Sequence, residues 1–319
     1  MKVIVRAMEE GDLPEADHVF RLAFGTFLRM PEPERFGGDL EFHRPRFRAD
    51  PSAAFVAERA GEVVGSNFAT GWGSVGFFGP LSVRPDLWNG GIGQSLVVRA
   101  LERFEAWGTR HTGLFTFADS AKHLALYRRF DFHPRSLTAI LSAALPGKDQ
   151  IPPQDPPLPP QRYSELRPAE RATALAECRE LADQIYPGLD LTPEISAVAR
   201  FGFGDTLLLP DACGLGGFAI CHCGPGTEAG SGACFVKFGC VLPGAGASQR
   251  FEGLLATCEA FAALQGLGRV VAGVSTARSE AYGRMLNRGF TTFLQGVAMH
   301  RPNEAGYHRP DALVMDDWR

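Results

Sequence analysis

A run of prolines places the first limit on this chain. The segment PGKDQIPPQDPPLPP, from Pro146 to Pro160, holds seven prolines in fifteen residues. Proline fixes φ and lacks an amide hydrogen, so such a run forms neither a helix nor a central strand and acts as a stiff, extended connector. It divides the 319 residues into two nearly equal parts, each the size of an ordinary domain. The expected division is a domain over 1–145, a proline-rich linker over 146–161 and a second domain over 162–319.

Equal halves invite a search for internal repetition. A constant offset of 158 residues pairs Val83 with Val241, Pro85 with Pro243, Leu96 with Leu254, Gly108 with Gly266 and Phe132 with Phe290. Each match alone is weak; the shared spacing is the signal. The chain reads as two fused and diverged copies of one domain type.

Within the first half the pattern is mixed. Asp17–Phe27 reads as a helix. Ala54–Arg59 and Glu62–Thr70 read as strands joined by a tight turn at Ala60-Gly61. Val75–Val83 is a third strand. After Gly93, Val97, Ala100, Leu101, Phe104 and Trp107 recur at helical spacing until Gly108 stops the helix. Gly113–Ala118, Lys122–Arg129 and Ser136–Ala143 then read as strand, helix and strand. The expected fold class is α+β, with a central mixed, mostly antiparallel sheet flanked by helices in each half.

Composition narrows the function. With 45% hydrophobic and 21% charged residues the chain has enough apolar surface to order itself. A formal charge of −4 and a pI near 6.1 give no footprint for nucleic acid. Glycines 65, 71, 73, 76 and 79, with Asn67 and Pro80, break the apolar region Val63–Val83, so it is not read as a membrane span. The opening MKVIVRAMEEGDL carries acidic residues where a signal peptide needs an apolar stretch, which leads to the expectation of a cytoplasmic protein.

The seven cysteines all lie between Cys178 and Cys258. Their odd number and the absence of a secretory signal argue against a disulfide framework. Cys221, His222 and Cys223 raise the question of zinc, but C-x-C without a second matching pair is not knuckle spacing. Alternation along Phe218–Cys223 points instead to a strand with thiols filling one face. No metal is expected.

The stretch LSVRPDLWNGGIGQSL, Leu81 to Leu96, carries the chemistry. A strand ends at Val83, Pro85 begins an irregular turn, and Gly90, Gly91 and Gly93 open onto an amphipathic helix. Glycines admit close approach of main-chain N–H groups, and a helix start is electropositive, so the loop suits a pyrophosphate. A Rossmann fingerprint needs a third glycine where Leu96 stands and an acid where Thr109–Leu114 has none. A Walker loop needs Gly-Lys-Ser/Thr, which is missing.

In these residues the chain resembles the GNAT superfamily of acetyl-coenzyme-A-dependent N-acyltransferases. The family pattern is a strand ending V-x-P, then Gln/Arg-x-x-Gly-x-Gly/Ala. Val83, Pro85, Gly91, Ile92 and Gly93 fit it, with Trp88 at the Gln/Arg position. A second signal, L-Y-x-x-x-G-F, is met by Leu126, Tyr127 and Phe132, with Asp131 in place of glycine and Ser120 in place of a frequent asparagine. The resemblance implies acetyl-CoA as co-substrate, with main-chain N–H groups of Asn89, Gly90, Gly91, Ile92, Gly93 and Gln94, Ser95 as a side-chain addition, and Ser120 as cofactor-binding residues. It implies pantetheine along Leu81, Ser82 and Val83, the Val83 N–H facing the thioester oxygen, and Tyr127 as the acid that protonates the leaving thiolate.

No general base is assigned. The strand Ser74–Pro80 has no ionisable group, so candidates come from Met30–Asp50: Glu32, Glu34, Asp39, Glu41 and His43. These alternate with Arg35, Arg44, Arg46 and Arg48, the pattern of a solvated loop. In the second half the offset puts Gln249, Phe251 and Met285 where Gly91, Gly93 and Tyr127 stand. That half reads as a degenerate copy that covers the sheet, shapes the acceptor cleft or forms a homodimer. The tail is expected to close the second sheet at Ala312–Met315 and to end in the polar Asp316 and Asp317, with Trp318 as an anchor. The function this implies is N-acetyl transfer to a small-molecule or peptide primary amine by the first half. The alternatives are a non-catalytic acyl-CoA sensor and a structural dimer module.

Overall fold

The structure, a computed structural model, describes residues 2–145, 161–212 and 214–319. The proline run, and with it the linker apart from Gln161, lies outside the described residues. The first half runs β1 (Ile4–Ala7), α1 (Leu13–Phe27), α2 (His43–Ala49), β2 (Ala54–Arg59), β3 (Glu62–Trp72), β4 (Val75–Phe78), β5 (Ser82–Val83), α3 (Ile92–Trp107), β6 (His111–Thr116), α4 (Ala121–Arg128) and β7 (His133–Ala144). The second runs β8 (Gln161–Arg162), α5 (Pro168–Ile185), α6 (Thr192–Phe201), β9 (Gly204–Asp211), β10 (Gly214–Gly224), β11 (Gly230–Val241), α7 (Ala247–Leu264), β12 (Arg269–Ser275), α8 (Ser279–Asn287), β13 (Thr291–Arg301) and β14 (Val314–Met315). None of the described helices is long and apolar enough to cross a membrane.

Local chemistry explains many of these boundaries. Ala60 and Gly61 both take positive φ, 57° and 85°, as a two-residue hairpin between right-twisted strands requires. Gly108 ends α3 in the left-handed region, at φ 68°, a conformation that glycine adopts without Cβ strain. Pro14 lies in the first turn of α1, where a missing amide hydrogen costs nothing, and Ala16, Val19, Phe20 and Ala23 bury one face of that helix.

The mixed α/β reading holds, and the strands of both halves join one sheet. The order is β1-β2-β3-β4-β6-β13-β7-β12-β11-β10-β9-β8, with β5 beside β3 and β14 beside β11. The closing strands are exchanged. β13 pairs antiparallel with β6, Val297 facing Thr116, while β7 pairs antiparallel with β12, Thr138 facing Ser275. The two exchanged strands also pair with each other. Cys221 and Cys234 pack with Phe251, Leu254 and Cys258 of α7 in the core, so the thiols fill one face of the sheet as the alternation predicts. His222, on the other face, lies near Glu194.

The order β2-β3-β4-α3-β6-α4-β7 recurs as β9-β10-β11-α7-β12-α8-β13. The offset of 158 holds late in each half, where Gly266 at φ 70° matches Gly108 and buried Phe290 matches Phe132. It fails at the glycine loop. The offset would start α7 at Arg250, yet it starts at Ala247, after Gly246 at φ 81°, ψ 0°. Gly91 caps α3 in the same way, at φ 83°, ψ −3°. The residues standing where Gly91 and Gly93 stand are therefore Gly246 and Ser248, and the alignment to Gln249 and Phe251 is corrected. Phe251 takes the buried place of Leu96, one turn into its helix.

Candidate active site

The strand expected over Val75–Val83 is in fact two. β4 ends at Phe78, and β5 resumes at Ser82. Between them Gly79 lies at φ 147°, and Pro80 has no amide hydrogen for a ladder. β4 pairs parallel with β6 only as far as Phe77 opposite Gly113. Beyond that point β6 continues beside β13, while β5 stays with β3 through Ser82 opposite Ser66. A wedge opens between them.

That wedge is a cleft of about 650 Å³ whose wall includes Leu81, Ser82, Val83, Asn89, Gly91, Ile92, Gly93, Gln94 and Tyr127. The Arg84 N–H bonds the Val64 carbonyl of β3 at 2.9 Å. Alternation along an antiparallel pair then turns the Val83 N–H to the opposite edge, which no strand covers. The first bond within α3 runs from the Ser95 N–H to the Gly91 carbonyl, 3.2 Å, so Ile92, Gly93 and Gln94 present N–H groups without helical partners. Trp88 closes the loop from outside: its indole N–H donates to the Val83 carbonyl at 2.7 Å. Lys122 lies 4.7 Å from the centre of the Trp88 ring.

Three of the expected cofactor-binding residues lie off this wall. The Gly90 N–H is bonded to the Leu87 carbonyl at 3.3 Å. The Ser95 hydroxyl turns back to the Gly91 carbonyl at 3.5 Å. Ser120 caps α4 by accepting the His123 N–H at 3.4 Å. Tyr127 is buried on α4 with its ring 5.7 Å from that of Phe78. Burial pushes its phenol above the ordinary range, so it stays protonated at neutral pH.

The Met30–Asp50 segment departs most from expectation. Glu32 and Glu34 are exposed, and Asp39 accepts the Ser231 N–H at 3.1 Å, but the segment as a whole is not a solvated loop. His43 and Arg46 are buried on α2. His43 Nε2 lies 3.3 Å from the Ser66 hydroxyl, which lies 3.0 Å from that of Ser82. His43 Nδ1 is 3.6 Å from Asp17 Oδ1. A chain of polar groups thus leads inward from Asp17 to the strand that edges the cleft. Desolvation, helped by the charges of Arg46 and Arg21, pushes the His43 imidazole down to about 3, so it is neutral. Glu41 is raised chiefly by desolvation and accepts the His43 and Arg44 N–H groups. Asp17, Glu41 and His43 offer donor atoms within 4.8 Å of one another, close enough for a metal. Arg21, bonded to Asp17 at 2.6 Å, and the buried Arg46 oppose a further cation there.

Arg46 ties the halves together. It donates to the Gly79 carbonyl at 2.5 Å, to the Arg319 carbonyl, and to both oxygens of Glu228 at 3.1 Å. Lys237 bridges Glu228 and Glu194 at 2.9 and 3.0 Å. Sequence reasoning missed this role; the one hint is that Phe42, Pro45 and Phe47 flank Arg46 with apolar residues. It offered the second half as a wall of the cleft without naming residues; Phe293, Leu294 and Trp318 are among those that line it. Trp318 is buried, as the anchor reading expected, with its indole N–H 2.8 Å from the Tyr307 hydroxyl. The polar ending is a correction: Asp316 and Asp317 are buried, Asp316 paired with Arg278 at 2.6 Å, and the closing strand spans only Val314–Met315.

The two helix starts differ in charge. Lys122 is the second residue of α4, and Glu280 is the second residue of α8. Glu280 accepts the Ser248 hydroxyl at the start of α7. Arg250 folds over that loop, donating to the Ala245 carbonyl at 2.9 Å.

Residues 18–132, which hold most of α1, the wedge, the glycine loop and Tyr127, match the sequence profile of the acetyltransferase (GNAT) family. Over that stretch the chain is similar to the GNAT family. A mycothiol acetyltransferase of Streptomyces avermitilis is 31% identical over 135 residues, which is 41% of this chain and 42% of the relative. The chain therefore matches less than half the length of that relative. Among solved structures, a putative acetyltransferase from Pyrococcus horikoshii superposes with a TM-score of 0.67 at 14% identity, covering 98% of this chain and 93% of that one. A GCN5-related N-acetyltransferase from Sphaerobacter thermophilus does so with 0.59 at 16% identity, covering 94% and 95%. These likenesses establish a fold shared along both halves.

Proposed function

We propose that this chain is an N-acetyltransferase that moves an acetyl group from acetyl-CoA to a primary amine by direct attack, in the cleft of its first half. The observation that carries this reading is the uncovered edge of β5 set beside the open start of α3. A pantetheine arm has the amides of a strand, and Leu81–Val83 offers them a ladder. The N–H groups of Ile92, Gly93 and Gln94 suit a diphosphate, and Lys122 adds positive charge. Acetyl-CoA supplies the thioester. The Val83 N–H is aimed to stabilise the oxyanion as the amine nitrogen forms the C–N bond. As the C–S bond breaks, Tyr127 gives its proton to the sulfur, and the proton lost by nitrogen restores the phenol. The polar chain Ser82–Ser66–His43–Asp17 offers the nitrogen's proton an alternative way outward.

The halves are, in this reading, two copies of one domain, of which only the first acts. Glu280 and Arg250 leave the second glycine loop unsuited to a diphosphate. The second copy instead walls the acceptor side. The test is direct. Tyr127→Phe is expected to lower kcat roughly a hundredfold, as loss of a positioned acid does, with calorimetry showing an unchanged acetyl-CoA Kd. Absence of acetyl-CoA binding to the unaltered chain sinks the proposal.

A further inference from the structure

The acceptor side of the cleft carries an unusual combination. Phe24, Phe27, Phe36, Phe117 and Phe293 line it together with Leu28. Phe24 and Phe36 stack at 5.3 Å between centroids, and Phe27 lies 4.9 Å from Phe117. Leu28 and Phe293 remain 44% and 59% exposed, which leaves an apolar mouth open to a ligand. Among the described residues no aspartate or glutamate lines the cleft, and its charged side chains are Lys122, Arg129 and Arg319, all cationic. The acids nearby are engaged elsewhere: Asp17 by Arg21, Glu41 by main-chain N–H groups, Asp317 by Arg319.

Such a wall discriminates by charge. An alkyl amine is protonated at pH 7; with a pKa near 10.4, roughly one molecule in 2,500 is neutral. Its ammonium form finds rings and cations here and no aspartate or glutamate side chain to pair with; His123, set between Phe27 and Phe117, is pushed down by burial and so is a weak acceptor for its proton. Phenylalanine faces attract cations, but Arg129 opposes that attraction in the same cleft, with Lys122 given to the diphosphate and Arg319 paired with Asp317. An amine on an aromatic ring has its lone pair delocalised into the ring, so it is neutral at pH 7, and its flat apolar body matches the phenylalanine cage.

We infer that the acceptor is a weakly basic aromatic amine, with the amino group borne directly on an uncharged ring. This rests on the acetyl-transfer reading above and names its substrate class. The ring lies among Phe24, Phe27, Phe36 and Phe117, and the nitrogen points at the Val83 end of the cleft. The nitrogen forms the C–N bond, the C–S bond breaks, and the nitrogen's proton ends on the coenzyme A sulfur. No base is needed before attack.

The experiment uses the full chain with acetyl-CoA and three acceptors: aniline, benzylamine and spermidine. Aniline and benzylamine share a phenyl ring and differ in the basicity of nitrogen, so the pair separates ring recognition from charge. Product is read by mass and by release of the coenzyme A thiol. We expect kcat/KM for aniline to exceed that for benzylamine at least tenfold at pH 7 and to stay flat from pH 6 to 8. A preference for benzylamine or spermidine overturns this inference and leaves acetyl transfer standing. No product from any of the three, in a protein that binds acetyl-CoA, likewise overturns this inference, whereas failure to bind acetyl-CoA overturns the acetyl-transfer reading itself. Phe27→Asp, at a half-buried site, introduces the missing carboxylate and is expected to shift the ratio at least tenfold towards benzylamine, with the KM for acetyl-CoA unchanged. An unchanged ratio in the folded variant counts against the charge argument. Phe27→Leu, which removes a ring and adds no charge, is expected to raise the KM for aniline alone.

Discussion

Lys122 and Glu280 hold equivalent places at the second position of α4 and α8. Their charges are opposite, and each lies beside a glycine-capped helix start. In the proposed reading this reversal of charge helps to separate a loop suited to a diphosphate from one that is not. Lys122→Glu copies the second half into the first. It is expected to weaken acetyl-CoA binding about tenfold, equivalent to about 1.4 kcal/mol, with little change in melting temperature because the residue is exposed. Calorimetry and thermal denaturation check the two parts. Equal affinity in the variant would remove the electrostatic account of why only one loop binds. The glycines themselves were readable in sequence, since a left-handed cap before an amphipathic helix is a local demand. Which glycine of the second half matched Gly91 was not, because α7 begins earlier than the offset allows.

Elements were read correctly where their causes lie within a few residues. The hairpin at Ala60-Gly61, the helix stop at Gly108 and the alternation of the cysteine strand all follow from local φ preferences or side-chain periodicity. Val75–Val83 shows the opposite case. Its apolar pattern continues across Gly79 and Pro80, so periodicity alone reads one strand. The break is held from outside by Arg46, whose guanidinium takes the Gly79 carbonyl and joins both oxygens of Glu228. Removing one partner from a buried ion network leaves another charge unpaired, at a cost of several kcal/mol. Arg46→Met is expected to destabilise the protein by about 3 kcal/mol in urea denaturation and to raise the KM for acetyl-CoA, because the wedge between β5 and β6 loses its support. A variant that loses stability while keeping the KM would show that Arg46 serves packing alone.

Across the molecule, the exchanged strands β7 and β13 make one sheet of two halves, and neutral histidines sit at that seam. His111 Nε2 lies 2.8 Å from His300 Nδ1 where β6 meets β13. Burial pushes His43 and His300 down to about 3, and His111 and His222 to about 4. Unfolded, each returns towards about 6.5, so the unfolded chain binds more protons below that pH. Stability from these groups is full above about pH 6.5 and falls as pH drops towards 4 and 3, by about 2 kcal/mol per buried histidine between pH 6.5 and 5. Urea midpoints at pH 7.5 and 5 are expected to differ accordingly. A flat profile would mean that these rings are not held neutral in the folded state.

From residue order alone came most strands and helices of the first half, the glycine-opened helix and the recurrence of that layout in the second half. Each depends on backbone preferences or periodicities that act over one or two turns of chain. Tertiary structure alone decided the strand exchange, the burial of His43 and Arg46, and the aromatic wall assembled from Phe24, Phe117 and Phe293. Those features are contacts between segments far apart in the chain, and their energies come from desolvation and packing that no local pattern records.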